Sequence, residues 1–132
     1  MDIIDKNIKK MLDKKTWAVI GATTNKDKFG YKIWKKLKDH NYDVYPINPK
    51  YDHIDGEKCF DNLDDLPIKP EVVNLVVPPK VSMKSIDMAN ALGIKYLWFQ
   101  PGAADERVIE KAEGLGLNIV FGDCVLVALD EK

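Results

Sequence analysis

The sequence predicts an α/β protein built on a parallel β-sheet. Apolar strand-like segments alternate with amphipathic helical segments along the 132 residues, as expected when parallel strands are joined by crossover helices. The segment 71–77 is almost continuously aliphatic, which is typical of strands covered by helices on both faces. Gly21 ends the first apolar segment, at the point where such folds turn from strand to helix. Together these observations favour a doubly wound sheet.

The N-terminal segment 1–14 is predicted to be an amphipathic helix that lies across the edge of the sheet. Its apolar residues recur at helical spacing among charged ones: Ile4, Ile8, Met11 and Leu12. The first strand, 16–20, is followed by a helix over 30–40 with one apolar face. Asn41 follows this helix and is a residue that commonly ends helices.

The rest of the chain repeats strand and helix. The further predicted strands cover 42–47, 71–77, 94–99 and 117–121, and the further helices cover 81–92 and 105–115. The polar stretch 51–70 is interpreted as a long connector with one helical turn at 62–66, because Gly and Pro interrupt it. Right-handed crossovers then give one Rossmann-like domain over 1–132, with about five strands in the order 3-2-1-4-5.

Composition argues against several functional classes. The chain has 20 Lys and Arg against 21 Asp and Glu, so it lacks the field of a nucleic-acid or anionic-membrane binder. Two cysteines, Cys59 and Cys124, are too few for a disulfide framework or a four-ligand zinc site, and no metal site is predicted. No apolar run has the length of a signal peptide core or a membrane span. We therefore expect a cytoplasmic protein.

The predicted topology brings five loops to one crevice at the carboxyl ends of the strands. Gly21 permits a sharp turn there, and the helix that starts at Gly30 offers unpaired N–H groups to a phosphate. Nearby side chains add hydroxyl groups and positive charge: Thr23, Thr24, Lys26 and Lys28. The five loops are 21–31, 48–50, 77–80, 100–103 and 122–124.

The crevice does not carry the fingerprint of common nucleotide-binding classes. A G-x-G-x-x-G motif starting at Gly21 would need glycine at Thr23 and Lys26, and the G-x-x-x-x-G-K-[ST] motif is also missing. The second strand runs into Asn48-Pro49-Lys50 rather than into the acidic residue that binds the adenosine ribose of NAD. A lysine at position 50 favours an anion over a free ribose diol, so NAD binding is disfavoured. Nucleotide hydrolysis is disfavoured because the phosphate-loop motif is missing.

Six segments are characteristic as an ordered set: 19–22 (VIGA), 29–31 (FGY), 45–49 (YPINP), 77–79 (VPP), 97–102 (LWFQPG) and 123–124 (DC). Together they resemble the small stand-alone CoA-binding proteins, which are similar to the N-terminal CoA-binding domain of the succinyl-CoA synthetase α subunit. The resemblance covers residues 14–127. It implies a Rossmann-like fold with coenzyme A or an acyl-CoA as the bound cofactor.

The resemblance also implies a place for each part of the ligand. The loop 21–31 would hold the CoA phosphates, and Lys50 would be the charge partner of the adenosine 3′-phosphate. The Val77-Pro78-Pro79 segment would flank the adenine or ribose, while Gln100-Pro101-Gly102 and Cys124 would lie toward the pantetheine. The implied binding residues are Gly21, Ala22, Thr23, Lys28, Phe29, Gly30, Tyr31, Asn48, Pro49, Lys50, Val77, Pro78, Pro79, Gln100, Pro101 and Gly102.

No catalytic role is predicted. The catalytic histidine of the synthetase belongs to a further domain that this chain lacks, and neither His40 nor His53 has a Ser or Cys partner at a recognisable spacing. We expect binding of CoA without catalysis. The sequence does not identify a protein partner. The alternatives are an NAD(P)- or nucleotide-sensing module, with Lys50 at a 2′-phosphate, and a partner-binding domain with a vestigial crevice. An enzyme is the third alternative.

Overall fold

A parallel β-sheet forms the centre of the computed structural model, which describes residues 3–131. Five strands form this sheet in the spatial order β2-β1-β5-β6-β7, and β3 and β4 form a separate antiparallel hairpin. The strands of the described residues are β1 (Thr16–Ile20), β2 (Asp43–Ile47), β3 (His53–Ile54), β4 (Glu57–Lys58), β5 (Val72–Leu75), β6 (Tyr96–Phe99) and β7 (Asn118–Val120).

Helices cover both faces of the sheet, as the aliphatic β5 strand indicates. Trp17 and Val19 of β1 face one apolar cluster, which the helices α1, α2 and α5 complete. Ala18 and Ile20 face the opposite cluster, which α3 and α4 complete. The helices are α1 (Ile3–Leu12), α2 (Phe29–Asp39), α3 (Pro79–Ala91), α4 (Glu106–Gly114) and α5 (Val125–Glu131), with a 3₁₀ turn at Leu63–Asp65. The predicted doubly wound α/β fold is confirmed.

The predicted strand order differs from the observed one in numbering. The sheet strands alone, counted in chain order, are arranged 2-1-3-4-5. Outside β2, however, Phe60 forms a single parallel bridge to Ile47. If this bridge is counted as a strand, the sheet has six strands in the order 3-2-1-4-5-6, of which the first five follow the predicted order. The strand predicted as third, β5, pairs with β1 on the side away from β2.

Two elements were absent from the sequence prediction. The stretch 51–70 contains the β3–β4 hairpin, whose turn at Asp55 and Gly56 has positive φ at both residues (50° and 80°), as in type I′ turns. Its strands are only two residues long, too short for a periodic signal. The last apolar segment forms α5, because Val125 and Leu129 are one turn apart and both are buried.

The N-terminal helix lies where it was predicted, at an edge of the sheet. Asn7 of α1 is 5% exposed, and its Nδ2 donates to the Ile119 carbonyl of edge strand β7 at 2.9 Å. Met11 and Leu12 are buried beside it. Residues 1, 2 and 132, which the predicted helix and domain include, lie outside the described residues. No described helix combines the length and apolarity needed to cross a bilayer.

We predict that Asn7→Ala lowers the free energy of unfolding by about 1–2 kcal/mol, because it removes a buried hydrogen bond between α1 and the sheet. The control is Lys10→Ala on the exposed side of the same helix, which we expect to change stability by less than about 0.5 kcal/mol. Urea denaturation followed by circular dichroism measures both. Equal losses in the two variants would contradict the assigned contact.

Candidate functional site

The loop after β1 is held in place by close backbone packing. Gly21 has a φ of +98°, and a Cβ atom at this position would overlap the carbonyl oxygen of Val76. A Cβ atom at Gly30, at the start of α2, would overlap the carbonyl oxygen of Gly21. Gly21 N also donates to the Ile47 carbonyl at 3.0 Å. Only glycine fits at both positions, so the loop lies against β5 on one side and α2 on the other.

The N-terminus of α2 faces this loop without a side-chain cap. Its N-cap residue, Lys28, is in an extended conformation and makes no capping hydrogen bond through its side chain. The first N–H groups of a helix have no acceptor within the helix, and they carry the positive end of the helix dipole. The arrangement can therefore accept an anion beside Gly21.

Two cavities meet at Gly21. The first, which we call the loop cavity, has a volume of about 480 Å³ and lies between the Gly21 loop, Val76 and the start of α2. The second, which we call the apolar slot, has a volume of about 420 Å³ and lies over the carboxyl end of β1. Its walls are mainly aliphatic: Ile20, Ile47, Leu63, Val77, Val81 and Met88. The more polar loop cavity thus adjoins the apolar slot.

Asn48 joins the second loop of the crevice to the first. Its Nδ2 donates to the Ala22 carbonyl at 2.9 Å, and its Oδ1 accepts from Lys50 N at 3.0 Å. The thiol of Cys59 donates to the Asn48 carbonyl at 3.5 Å, and burial raises the pKa of this thiol. The Asn48 side chain therefore positions Lys50 at the slot.

Tyr51 adds a hydroxyl to the Gly21 loop. Its hydroxyl oxygen lies 3.0 Å from Thr23 Oγ1, and Thr23 Oγ1 also accepts from Asn25 N at 3.2 Å. Hydrogen bonds with the Thr23 and Thr24 side chains lower the pKa of Tyr51. Tyr51 was not singled out from the sequence, because it follows β2 and only the tertiary fold brings it to the loop.

The structure places most of the predicted binding residues at the two cavities. The loop cavity is lined by Gly21, Thr23, Lys28, Phe29 and Gly30, and the apolar slot by Gly21, Asn48, Pro49, Lys50 and Val77. Pro78 caps α3 and Pro79 is its first residue, directly after Val77. Ala22 is buried below the loop. Tyr31 is buried as well, and its hydroxyl donates to Asp55 Oδ2 at 2.5 Å.

The residues predicted for the pantetheine line neither cavity. Gln100 is 4% exposed; its Nε2 donates to Asn74 Oδ1 at 2.5 Å and its Oε1 accepts from Val125 N at 3.2 Å. Pro101 and Gly102 are exposed after β6. Cys124 lines a separate groove between α1 and α5. Contact of these residues with a ligand stays a prediction.

Helix α3 contributes slot residues that sequence analysis did not assign to the site. Val81, Lys84, Ser85 and Met88 all line the slot. Their spacing of three, four and seven residues puts them on one helix face, and this spacing is the signal that would have found them. The opposite wall adds Asp61 and Asn62, which precede the 3₁₀ turn. Both were assigned to a connector.

The described residues of the crevice include no metal-binding cluster, histidine or cysteine. Among residues 3–131 there is no group of three or more His, Cys, Asp or Glu side chains that could hold a metal ion. His40 follows α2 and His53 lies in β3, and neither lines the loop cavity or the slot. Cys59 and Cys124 are both free thiols. The geometry therefore favours binding through backbone groups and lysines.

The parallel sheet and the glycine loop define a Rossmann-like α/β class of protein. Within this class, residues 15–130 match the CoA binding domain family, and the chain belongs to that family. A curated relative is the acetate–CoA ligase (ADP-forming) of Methanocaldococcus jannaschii, which is 40% identical over 91 residues, or 69% of this chain. The chain spans only 13% of that relative's length.

Solved structures of small proteins share the whole fold. A hypothetical protein from Pyrococcus horikoshii is 36% identical, with a TM-score of 0.90, and the match covers 96% of this chain and 90% of the other. A conserved hypothetical protein from Pyrococcus furiosus is 40% identical, with a TM-score of 0.81, covering 86% of this chain and 97% of the other. The domain therefore also exists as a chain of about this size.

We predict that Gly21→Ala lowers the free energy of unfolding by about 2 kcal/mol more than Gly122→Ala does. Both glycines have positive φ, so both variants carry backbone strain of about 1 kcal/mol or more. Only at Gly21 would the new Cβ also overlap a carbonyl oxygen, since no atom lies within 4 Å of a Cβ at Gly122. Urea denaturation measures the difference, and equal losses would contradict the close packing.

Proposed function

We propose that the protein binds coenzyme A or an acyl-CoA in the crevice and has no catalytic activity of its own. One observation carries this proposal: the loop cavity and the apolar slot share Gly21. A ligand with a diphosphate next to an adenosine matches a cavity with backbone N–H groups and hydroxyls that adjoins a more apolar one. The family of the chain, whose description is a CoA binding domain, supports the same ligand.

The diphosphate is assigned to the loop cavity. The backbone of Gly21 allows a phosphate to approach closely, and the uncapped N-terminus of α2 supplies N–H groups. Thr23 offers a hydroxyl, and Lys28 supplies a positive charge in the same cavity, which the carboxylate of Asp27 also lines. Phe29 is 59% exposed beside them, so that its ring can cover the ligand from the solvent side.

The adenosine is assigned to the apolar slot. Ile20, Ile47 and Val77 form walls against which a base can pack, and Pro78 and Pro79 fix the backbone that carries Val77. Lys50 lies at the rim, and it makes no ion pair with any of the described residues. A phosphate on the ribose would give this lysine a charge-assisted hydrogen bond.

The pantetheine follows the diphosphate in CoA, so it is assigned to the exposed surface that leads from the loop cavity past Val76 toward Pro101 and Gly102. In this proposal Gln100 acts by holding that loop through Asn74 rather than by touching the ligand. A non-catalytic role is supported by the cavity linings, which contain no histidine or cysteine. The free thiols Cys59 and Cys124 support a reducing, cytoplasmic setting.

A phosphorylated dinucleotide is the competing ligand. NADP also carries a phosphate on its adenosine ribose, and the unpaired Lys50 suits a 2′-phosphate as well as a 3′-phosphate. The absence of a second glycine at Thr23 weakens this alternative. The two ligands are separated by direct titration.

We predict that isothermal titration calorimetry detects binding of CoA but not of NAD or NADP. In Lys50→Ala, the affinity for CoA falls by about tenfold, because one charge-assisted hydrogen bond to the ribose phosphate is lost. The control is Lys95→Ala, an exposed lysine before β6 at the amino ends of the strands, away from the crevice, which we expect to bind CoA as the unaltered protein does.

Two results would contradict the proposal. Binding of NADP without binding of CoA would make the protein a dinucleotide-binding module. Binding of none of these ligands would make the crevice vestigial and would favour a partner-binding role.

A further inference from the structure

A second lysine lines the apolar slot opposite Lys50. Lys50 follows β2, whereas Lys84 lies on α3, the helix after β5. In the sheet, β2 and β5 are the two neighbours of β1, and the slot lies over the carboxyl end of β1. The two lysines therefore come from elements on opposite sides of the slot.

Neither lysine forms an ion pair with any of the described residues. The ion pairs of the described residues involve Lys35, Lys36, Lys38 and Lys111. The carboxylate nearest to Lys84 along α3 is Asp87, and it is already paired with Lys111 of α4. Asp61 is the one carboxylate among the described residues that line the slot. The slot therefore carries a net positive charge over apolar walls.

We propose that Lys84 is a specificity-determining residue that holds the phosphate on the ligand's ribose together with Lys50. This inference rests on the proposed function, which puts the diphosphate in the loop cavity and the base in the slot. The anion then left over in CoA is the ribose 3′-phosphate, which carries nearly two negative charges at neutral pH. Two lysine ammonium groups match that charge.

Helix α3 fixes the backbone that carries Lys84, while the side chains of Lys84 and Lys50 are both exposed. The buried residues Ile86 and Ala89 anchor this helix to the sheet, whereas Lys50 lies in an exposed loop. In the free protein Asp61 is the one carboxylate among the described slot residues, so it offsets only part of the charge of the two ammonium groups. A ribose phosphate would neutralise the remaining positive charge of the slot, whereas a ligand without that phosphate would leave this charge in place.

The test compares two ligand pairs that differ only in the ribose phosphate. CoA is compared with dephospho-CoA, and adenosine 3′,5′-bisphosphate with AMP, by calorimetry on the unaltered protein and on Lys84→Ala. The control is Lys10→Ala, an exposed helical lysine of α1 that does not line the slot. Circular dichroism checks that each variant is folded.

We expect the unaltered protein to bind CoA at least about tenfold more tightly than dephospho-CoA. Lys84→Ala should remove most of this preference by weakening CoA binding about tenfold, with dephospho-CoA changed by less than about twofold. Lys84→Arg, which keeps the charge, should retain part of the preference, and Lys10→Ala should retain all of it.

The outcomes separate this inference from the function on which it rests. If CoA binds but Lys84→Ala leaves the preference unchanged, or weakens both ligands equally, the role of Lys84 is wrong and CoA binding stands. If CoA does not bind but the bisphosphate binds in a Lys84-dependent way, the lysine pair stands and the CoA proposal is wrong. If neither binds, both are wrong.

Discussion

The structure of the crevice depends on one packing constraint, the close approach of three backbone segments around Gly21. The carbonyl of Val76 occupies the space where a Gly21 side chain would lie, and the carbonyl of Gly21 occupies the equivalent space at Gly30. The end of β5, the loop after β1 and the start of α2 are thereby fixed together. The loop cavity and the apolar slot exist on either side of Gly21 because this backbone is held there.

A second set of contacts fixes the outer side of the crevice. Asn48 bonds to Ala22 of the first loop, Thr23 to Tyr51, and Tyr31 of α2 to Asp55 of the hairpin. The β3–β4 hairpin thus supports the segment that carries Lys50, although it lies outside the main sheet. The sequence predicts Asn48 and Tyr31 as ligand contacts. In the structure, hydrogen bonds of their side chains hold the loops in place.

Much of the fold could be predicted from the sequence, because hydrophobic periodicity and glycine positions are local signals. The five sheet strands and four of the helices lie where the pattern put them. The β3–β4 hairpin is too short to show a period, and α5 presents only two buried positions, Val125 and Leu129. For the site, Gly21 and Lys50 were found from strand ends. Lys84 was not predicted as a site residue. It reaches the slot only because α3 packs on one particular side of β1, and no local sequence pattern shows on which side a helix packs.

The central claim is that one CoA molecule occupies both cavities that meet at Gly21. The most direct measurement is a ¹H–¹⁵N correlation spectrum of the labelled protein during titration with CoA. The account predicts that the largest shifts occur at the amides of Gly21, Gly30 and Lys50, together with the slot-facing residues of α3. Shifts confined to the groove between α1 and α5, which Cys124 lines, would contradict it and place the ligand elsewhere on the protein.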